Sequence, residues 1–216
     1  MKSIVKANLA FLLPYAVFLL FGTVLMAVET KAEIHLYINN FHDLFFDHFF
    51  TLVTNLGEGP IVVLVFIILL TVKYRYAVIV AVSNIISALF TQLLKHTLFA
   101  DVVRPKKFFQ GVHDLYFVPG VENWENNSFP SGHTTCAFAL YFSLALIVKN
   151  RFYKLLLFFL ALLVGYSRVY LSQHFFQDVY AGSIVGVVVT CIIYWFFQRR
   201  EYPTLDRSLI SLFRNE

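Results

Sequence analysis

Six apolar stretches, each ended by charged or polar side chains, divide the chain. They run from Asn8 to Val28, from Pro60 through Ile61–Val72, from Tyr76 to Leu98, from Phe129 to Val148, from Tyr153 to Ser172 and from Val179 to Phe197. A helix rises about 1.5 Å per residue and a bilayer core is roughly 30 Å thick, so about 20 apolar residues make one crossing. The second stretch has a short apolar core and relies on Lys73 and Arg75 snorkelling to the interface. Pro60 suits the first turn of that helix, where its missing N–H costs nothing. The first stretch carries Lys2 and Lys6 like a signal peptide, but it is long for one and lacks a small-x-small cleavage site, so it reads as a retained anchor. The pattern predicts an all-α fold, a six-span transmembrane helical bundle, with residues 1–216 as a single membrane-embedded domain.

Two connections stand out. Glu29–Gly59 is too polar to span, yet Ile34, Leu36, Phe41, Leu44, Phe45, Phe49 and Phe50 fall on one side of a helix, which predicts an interfacial helix. Its His35, His42, Asp43, Asp47 and His48 read as a solvated polar face rather than a metal site. Phe99–Ser128 is the longest remaining connection, and long loops without structure of their own tend to carry function.

Composition agrees with lipid as the main solvent. Only 14% of residues are charged and 59% are hydrophobic, against roughly 25% charged in an average globular protein. Six spans put both termini on one side. That side receives Lys2, Lys6, Lys73, Arg75, Lys149, Arg151, Lys154, Arg199, Arg200, Arg207 and Arg214, which is 11 of the 17 basic residues. The positive-inside rule therefore makes the termini cytoplasmic. This asymmetry also accounts for the net charge of +4 without a nucleic-acid partner. Cys136 and Cys191 lie in apolar runs and form no CxxC or Cys/His ligand spacing, so no structural zinc site is expected.

The chemistry concentrates on the opposite, outer face. Lys95 ends the third span and Arg104 follows in the loop. Pro130-Ser131-Gly132-His133 opens the fourth span. Ser167-Arg168 ends the fifth, His174 sits in the turn, and Asp178 opens the sixth. Ionisable residues at such positions are costly in a membrane and usually functional. Phosphoryl transfer spreads negative charge over three oxygens, so it needs positioning and electrostatic stabilisation. Arg104 and Arg168 offer bidentate forks, Lys95 a point charge, and Ser131-Gly132 a helix N-terminus with backbone N–H groups. His174 and Asp178 are four residues apart and share a helical face. His133 has no such carboxylate nearby in sequence and suits a general acid. Spacing alone does not say which histidine attacks.

Lys95-x8-Arg104-Pro105, Pro130-Ser131-Gly132-His133 and Ser167-Arg168-x5-His174-x3-Asp178 resemble the three signatures of the type 2 phosphatidic acid phosphatase superfamily, with core motifs over residues 95–178. The second and third match fully. The first departs, with eight residues between Lys and Arg where six are usual: either Phe99-Ala100-Asp101 forms a bulge, or Lys95 falls short of the phosphate. The resemblance implies a membrane lipid phosphatase without metal or other cofactor, working through a phosphohistidine on His174. It implies His133 as acid and then base, Asp178 as orienter of His174, and Lys95, Arg104, Ser131, Gly132 and Arg168 as phosphate ligands. The partners it implies are a lipid phosphate substrate and membrane lipids, with a bacterial cytoplasmic membrane as the setting and the site facing the exterior. Phosphotransfer to a second acceptor, a haloperoxidase activity and a non-catalytic transporter or scaffold are the competing readings.

The remaining polar residues have plainer readings. Asn84, Ser87, Thr91 and Gln92 predict interhelical hydrogen bonds, and Gly182-x3-Gly186 predicts close helix packing. Lys106 and Lys107 suit either an anionic headgroup or a solvated loop. His96 and His113 match no motif.

Overall fold

Thr134 through Leu146 are almost all buried, because this stretch is apolar on every side and such a helix belongs inside a bundle. It lies within helix α8 of a computed structural model that describes residues 2–199 and 201–213. Those residues form helices α1 (Lys2–Ala7), α2 (Leu9–Val28), α3 (Lys31–Asn39), α4 (Leu44–Val53), α5 (Gly59–Val72), α6 (Tyr74–His96), α7 (Pro105–Phe109), α8 (Gly132–Ile147), α9 (Arg151–Tyr170), α10 (Phe176–Gln198) and α11 (Leu209–Phe213), with no strand among them. Helices α6, α9 and α10 enclose α8, α5 packs on α6, and α2 lies outside against α9.

Small residues let α10 approach α8 backbone to backbone. A Cβ on Gly182 would sit 2.7 Å from the Ser131 carbonyl oxygen, and one on Gly186 would sit 2.6 Å from that of Thr135. The Gly-x3-Gly spacing therefore does serve close packing. The polar stripe of α6 partly links it to α8, through Thr91 to Thr135 at 3.3 Å and Cys136 to Asn84 at 3.4 Å. Gln92 is exposed instead.

The all-helical membrane architecture stands, but the predicted crossings are not equal. Among the described residues four helices are long and apolar enough to cross a membrane: α2, α6, α9 and α10. Helix α8 has 16 residues, about 24 Å of rise. Its flanks are covered by protein, so it need not match the lipid thickness. Helix α5 has 14 residues, about 21 Å, and joins the preceding Leu44–Gly57 segment at a 54° bend. Helix α5 starts beside the expected Pro60 but is long enough to cross only together with the segment before it, as a bent pair.

The predicted interfacial helix is also two helices. The chain breaks after Asn39, and Asp43 restarts it as the cap of α4, accepting from the Phe45 N–H at 2.8 Å. Its apolar residues do not share one face: Ile34 and Phe50 are buried whereas Phe41, Leu44 and Phe45 are exposed. The solvated polar face holds for Asp43 and His48, which are exposed, but not for its other members. His35 and Asp47 are buried, and Asp47 accepts from Tyr170 at 2.7 Å and Tyr116 at 2.8 Å and pairs with His42 Nδ1 at 2.9 Å. Polar groups taken from water need such partners. Among the described residues no group of three or more His, Cys, Asp or Glu side chains is arranged to hold a metal ion.

At the other end, Asp206 binds Lys73 at 2.8 Å and the Arg75 guanidinium at 2.8 and 2.9 Å. The tail carbonyls of Arg207 and Leu205 accept from the Tyr74 and Arg75 N–H groups, satisfying donors that a helix start leaves open. Arg200 and Arg214 of the basic set lie outside the described residues.

Gly186→Val should lower the thermal midpoint of the detergent-solubilised protein, reflecting a cost of at least about 1–3 kcal/mol for overpacking. Gly59→Ala is the control, since a Cβ there meets nothing within 4 Å. Equal melting of the two variants would mean that α8 and α10 have room to separate.

Candidate active site

Asp178 is fully buried at the start of α10. Its carboxylate Oδ2 accepts from Ser128 Oγ at 2.5 Å and from the Phe175 N–H at 3.0 Å, and lies 3.3 Å from His174 Nδ1. Its backbone carbonyl accepts from the Ser131 N–H at 2.9 Å. One residue therefore ties together the loop before α8, the first turn of α8 and the turn that carries His174. The i, i+4 pairing read from the sequence is present.

His174 itself is buried. Its backbone N–H and that of Gln173 both donate to the Arg168 carbonyl, at 3.1 and 3.0 Å, so the end of α9 fixes the turn. Ser172 holds a left-handed φ of 54° there, a conformation costly for a residue with a side chain. Its hydroxyl accepts from Asn39 at 3.0 Å and lies 3.2 Å from His35 Nε2, contacts from α3 that hold the strained residue in place.

Lys95, Arg104, Arg168 and His133 all act electrostatically on His174, so four chain segments meet around it. Lys95 does reach the cluster despite its spacing. Thr97 to Asp101 form a turn after α6 in which the Phe99 N–H reaches back to Leu94 O at 3.0 Å. That turn absorbs the two extra residues, and buried Lys95 donates to Asn127 O at 3.1 Å. Arg104 is held by Asn126 O at 2.9 Å and Gln173 O at 3.1 Å. Arg168 donates to Thr54 Oγ1 at 2.5 Å, while its buried Nε has no hydrogen-bond partner.

One part of the expected cradle differs. The Ser131 N–H is engaged by Asp178, and the Ser131 hydroxyl accepts from Thr134 at 2.9 Å. The helix-start donors are therefore those of Gly132, His133 and Thr134, which have no partner within the helix. A Cβ on Gly132 would meet no atom within 4 Å, so open space adjoins its backbone. Lys106 and Lys107 are engaged within the loop, by Glu125 at 3.2 Å and Asn126 Oδ1 at 3.0 Å, and His96 and His113 are exposed.

Glu58, Thr54 and Ser128 escape sequence reasoning. Glu58 Oε1 lies 3.3 Å from His133 Nε2, 75 residues away in the chain, and Thr54 meets Arg168 from 114 residues away. Only the pairing of Gly with an acidic residue before Pro60 marks the spot, and it matches no motif.

Two histidines, a carboxylate and three cations thus meet at one end of an apolar helical bundle, with His174 and Asp178 fully enclosed. A family model, the PAP2 superfamily, matches residues 76–202, and the chain belongs to that family. It is 27% identical over 175 residues to a lipid A 4'-phosphatase of Porphyromonas gingivalis, covering 77% of this chain and 72% of that protein. It is 35% identical over 79 residues to the undecaprenyl-diphosphatase BcrC of Bacillus subtilis, covering 37% and 39% of the two. The crystal structure of Aquifex aeolicus LpxE superposes with a TM-score of 0.68 at 26% identity, covering 76% of this chain and 94% of that one. The chain is an integral membrane protein of this family.

Burial, followed by the charges of Arg104, Arg168, Lys95 and His133, holds the His174 imidazole well below its ordinary pKa of 6.5. The folded protein thus keeps it neutral under conditions where the unfolded chain binds a proton, and stability is lost as pH falls below 6.5. Wild type should lose up to about 1.4 kcal/mol per pH unit relative to His174→Gln between pH 6.5 and 5.5, read from unfolding in detergent. Parallel profiles would show that His174 titrates normally.

Proposed function

We propose that this protein is a lipid phosphatase that hydrolyses a phosphomonoester or pyrophosphate of a membrane lipid through a phosphohistidine on His174, on the non-cytoplasmic face. The observation that carries the reading is the buried His174–Asp178 pair with Lys95, Arg104, Arg168 and His133 acting on it together. Asp178 accepts a hydrogen bond from Nδ1–H and so leaves Nε2 unprotonated as the nucleophilic atom, the tautomer logic of other catalytic histidines.

Nε2 attacks phosphorus as the bond to the lipid oxygen breaks, and His133 supplies the proton that the departing alkoxide requires. A water then attacks the phosphohistidine, the P–N bond breaks, and His133 takes the water's proton. Inorganic phosphate leaves and both histidines return to their starting state. Lys95, Arg104 and Arg168 match the charge on the transferring phosphoryl group in a low-dielectric setting, where each is worth more than in water. The orphaned Arg168 Nε and the first N–H groups of α8 are donors suited to its oxygens.

The basic asymmetry supports a site facing outward. The lipid A 4'-phosphatase alignment spans 77% of the chain, which makes a phosphorylated lipid of the lipid A type the first substrate to test. Undecaprenyl pyrophosphate, phosphatidylglycerol phosphate and phosphatidic acid complete the panel.

With a chelator present, wild type should release inorganic phosphate from at least one of these lipids without an added acceptor alcohol, and vanadate should inhibit it. His174→Ala should abolish release from every lipid while the protein still inserts and elutes as a single species. His133→Ala should lower kcat by about 10²–10⁴. Normal turnover by His174→Ala overturns the phosphohistidine route, and release only when an acceptor is added makes the protein a phosphotransferase.

A further inference from the structure

The 3-10 turn Thr54–Gly57 and the residue after it lie against the active site, although no motif points to them. Thr54 accepts from Arg168 at 2.5 Å. Tyr141 of α8 donates to Leu56 O at 3.1 Å. A Cβ on Gly57 would stand 2.5 Å from Val164 and 2.9 Å from the His133 carbonyl oxygen, so the turn presses onto α9 and the first turn of α8. Three separate contacts thus fix the backbone from which Glu58 extends, and its Oε1 lies 3.3 Å from His133 Nε2. Among the charged groups acting on His133, Arg168 and Arg104 are cationic and Glu58 is the anion.

We propose that Glu58 is a positioning residue for His133: unlike Asp178, which meets the Nδ1 of its histidine, it faces Nε2, and it holds the imidazole aimed and counter-charged until the leaving oxygen takes its place. The proposal rests on the phosphohistidine reading above. A general acid works when it is both oriented and protonated. Two guanidinium groups oppose a second positive charge beside them, and the carboxylate offsets that opposition. The contact is long for a charge-assisted hydrogen bond, so an entering leaving oxygen can compete for the same Nε2 proton. Glu58 itself gains and loses no proton in the cycle.

The side chain is about two-fifths exposed at 43%, so Glu58→Ala and Glu58→Gln are expected to fold. The experiment compares first-turnover rates on two esters. The alkoxide of n-dodecyl phosphate needs a proton to depart, whereas the nitrophenolate of p-nitrophenyl phosphate does not. Both variants should lose about 30-fold or more on the first, in kcat with KM little changed. The nitrophenolate burst should stay within about threefold of wild type, followed by slow turnover because water activation also uses His133. Equal losses on both esters, or no loss on either, with wild type active, overturn the positioning role alone. A wild-type enzyme that releases phosphate from neither ester overturns the phosphatase reading and this proposal with it.

Discussion

The carboxylate of Asp178 is the interaction on which the site depends. Placing an anion in a dry helical bundle is expensive unless hydrogen bonds and nearby cations compensate it. Here Ser128, the Phe175 N–H and His174 all converge on one oxygen, while the backbone carbonyl of the same residue holds the start of α8. Removing the carboxylate would do more than free the histidine. Ser128 of the loop before α8 and the His174 turn would lose their common anchor, while the backbone carbonyl would still hold the Ser131 N–H.

The geometry of α8 sets the depth at which this happens. Because the helix is short and enclosed, its N-terminus and the charges around it are held within the bundle rather than at a fully wet surface. Low dielectric strengthens every interaction with a phosphoryl group, and it also makes three neighbouring cations repel one another. The bundle answers with fixed acceptors: Asn127 O for Lys95, Asn126 O and Gln173 O for Arg104, and Thr54 for Arg168. Most of these are backbone carbonyls, which hold the cations in place without neutralising them. Their charge remains available to an incoming anion.

Local patterns in the chain were good guides where the physics is local. The His174–Asp178 pair matches the i, i+4 spacing although His174 stands in the turn before α10 rather than on the helix, and the crossing at Gly182 and Gly186 follows from the absence of side chains. Long-range partners were not legible, because nothing in a single chain says which distant residues a fold will bring together. Glu58 and Thr54 meet the site only because the turn before α5 packs on α8 and α9. The same limit hid Asp47, whose hydrogen-bonding partners Tyr116 and Tyr170 come from a loop and from α9, so a polar residue that reads as solvated is in fact enclosed. Lys95 shows the converse. Its spacing to Arg104 cast doubt on its reach, yet a turn in three dimensions removes the excess.

The sequence by itself determined that the chain is apolar enough to live in a bilayer, that its basic residues collect at one end, and that histidines, arginines and a carboxylate collect at the other. These follow from hydropathy, helix length and the cost of burying charge, all of which act residue by residue. Tertiary structure alone decided that the chain bends at Glu58 before α5, that the Ser131 N–H serves Asp178 rather than a phosphate, and that His133 has a carboxylate beside it. Each of those depends on packing between elements far apart in the chain, where the energy lies in contacts that no local pattern encodes.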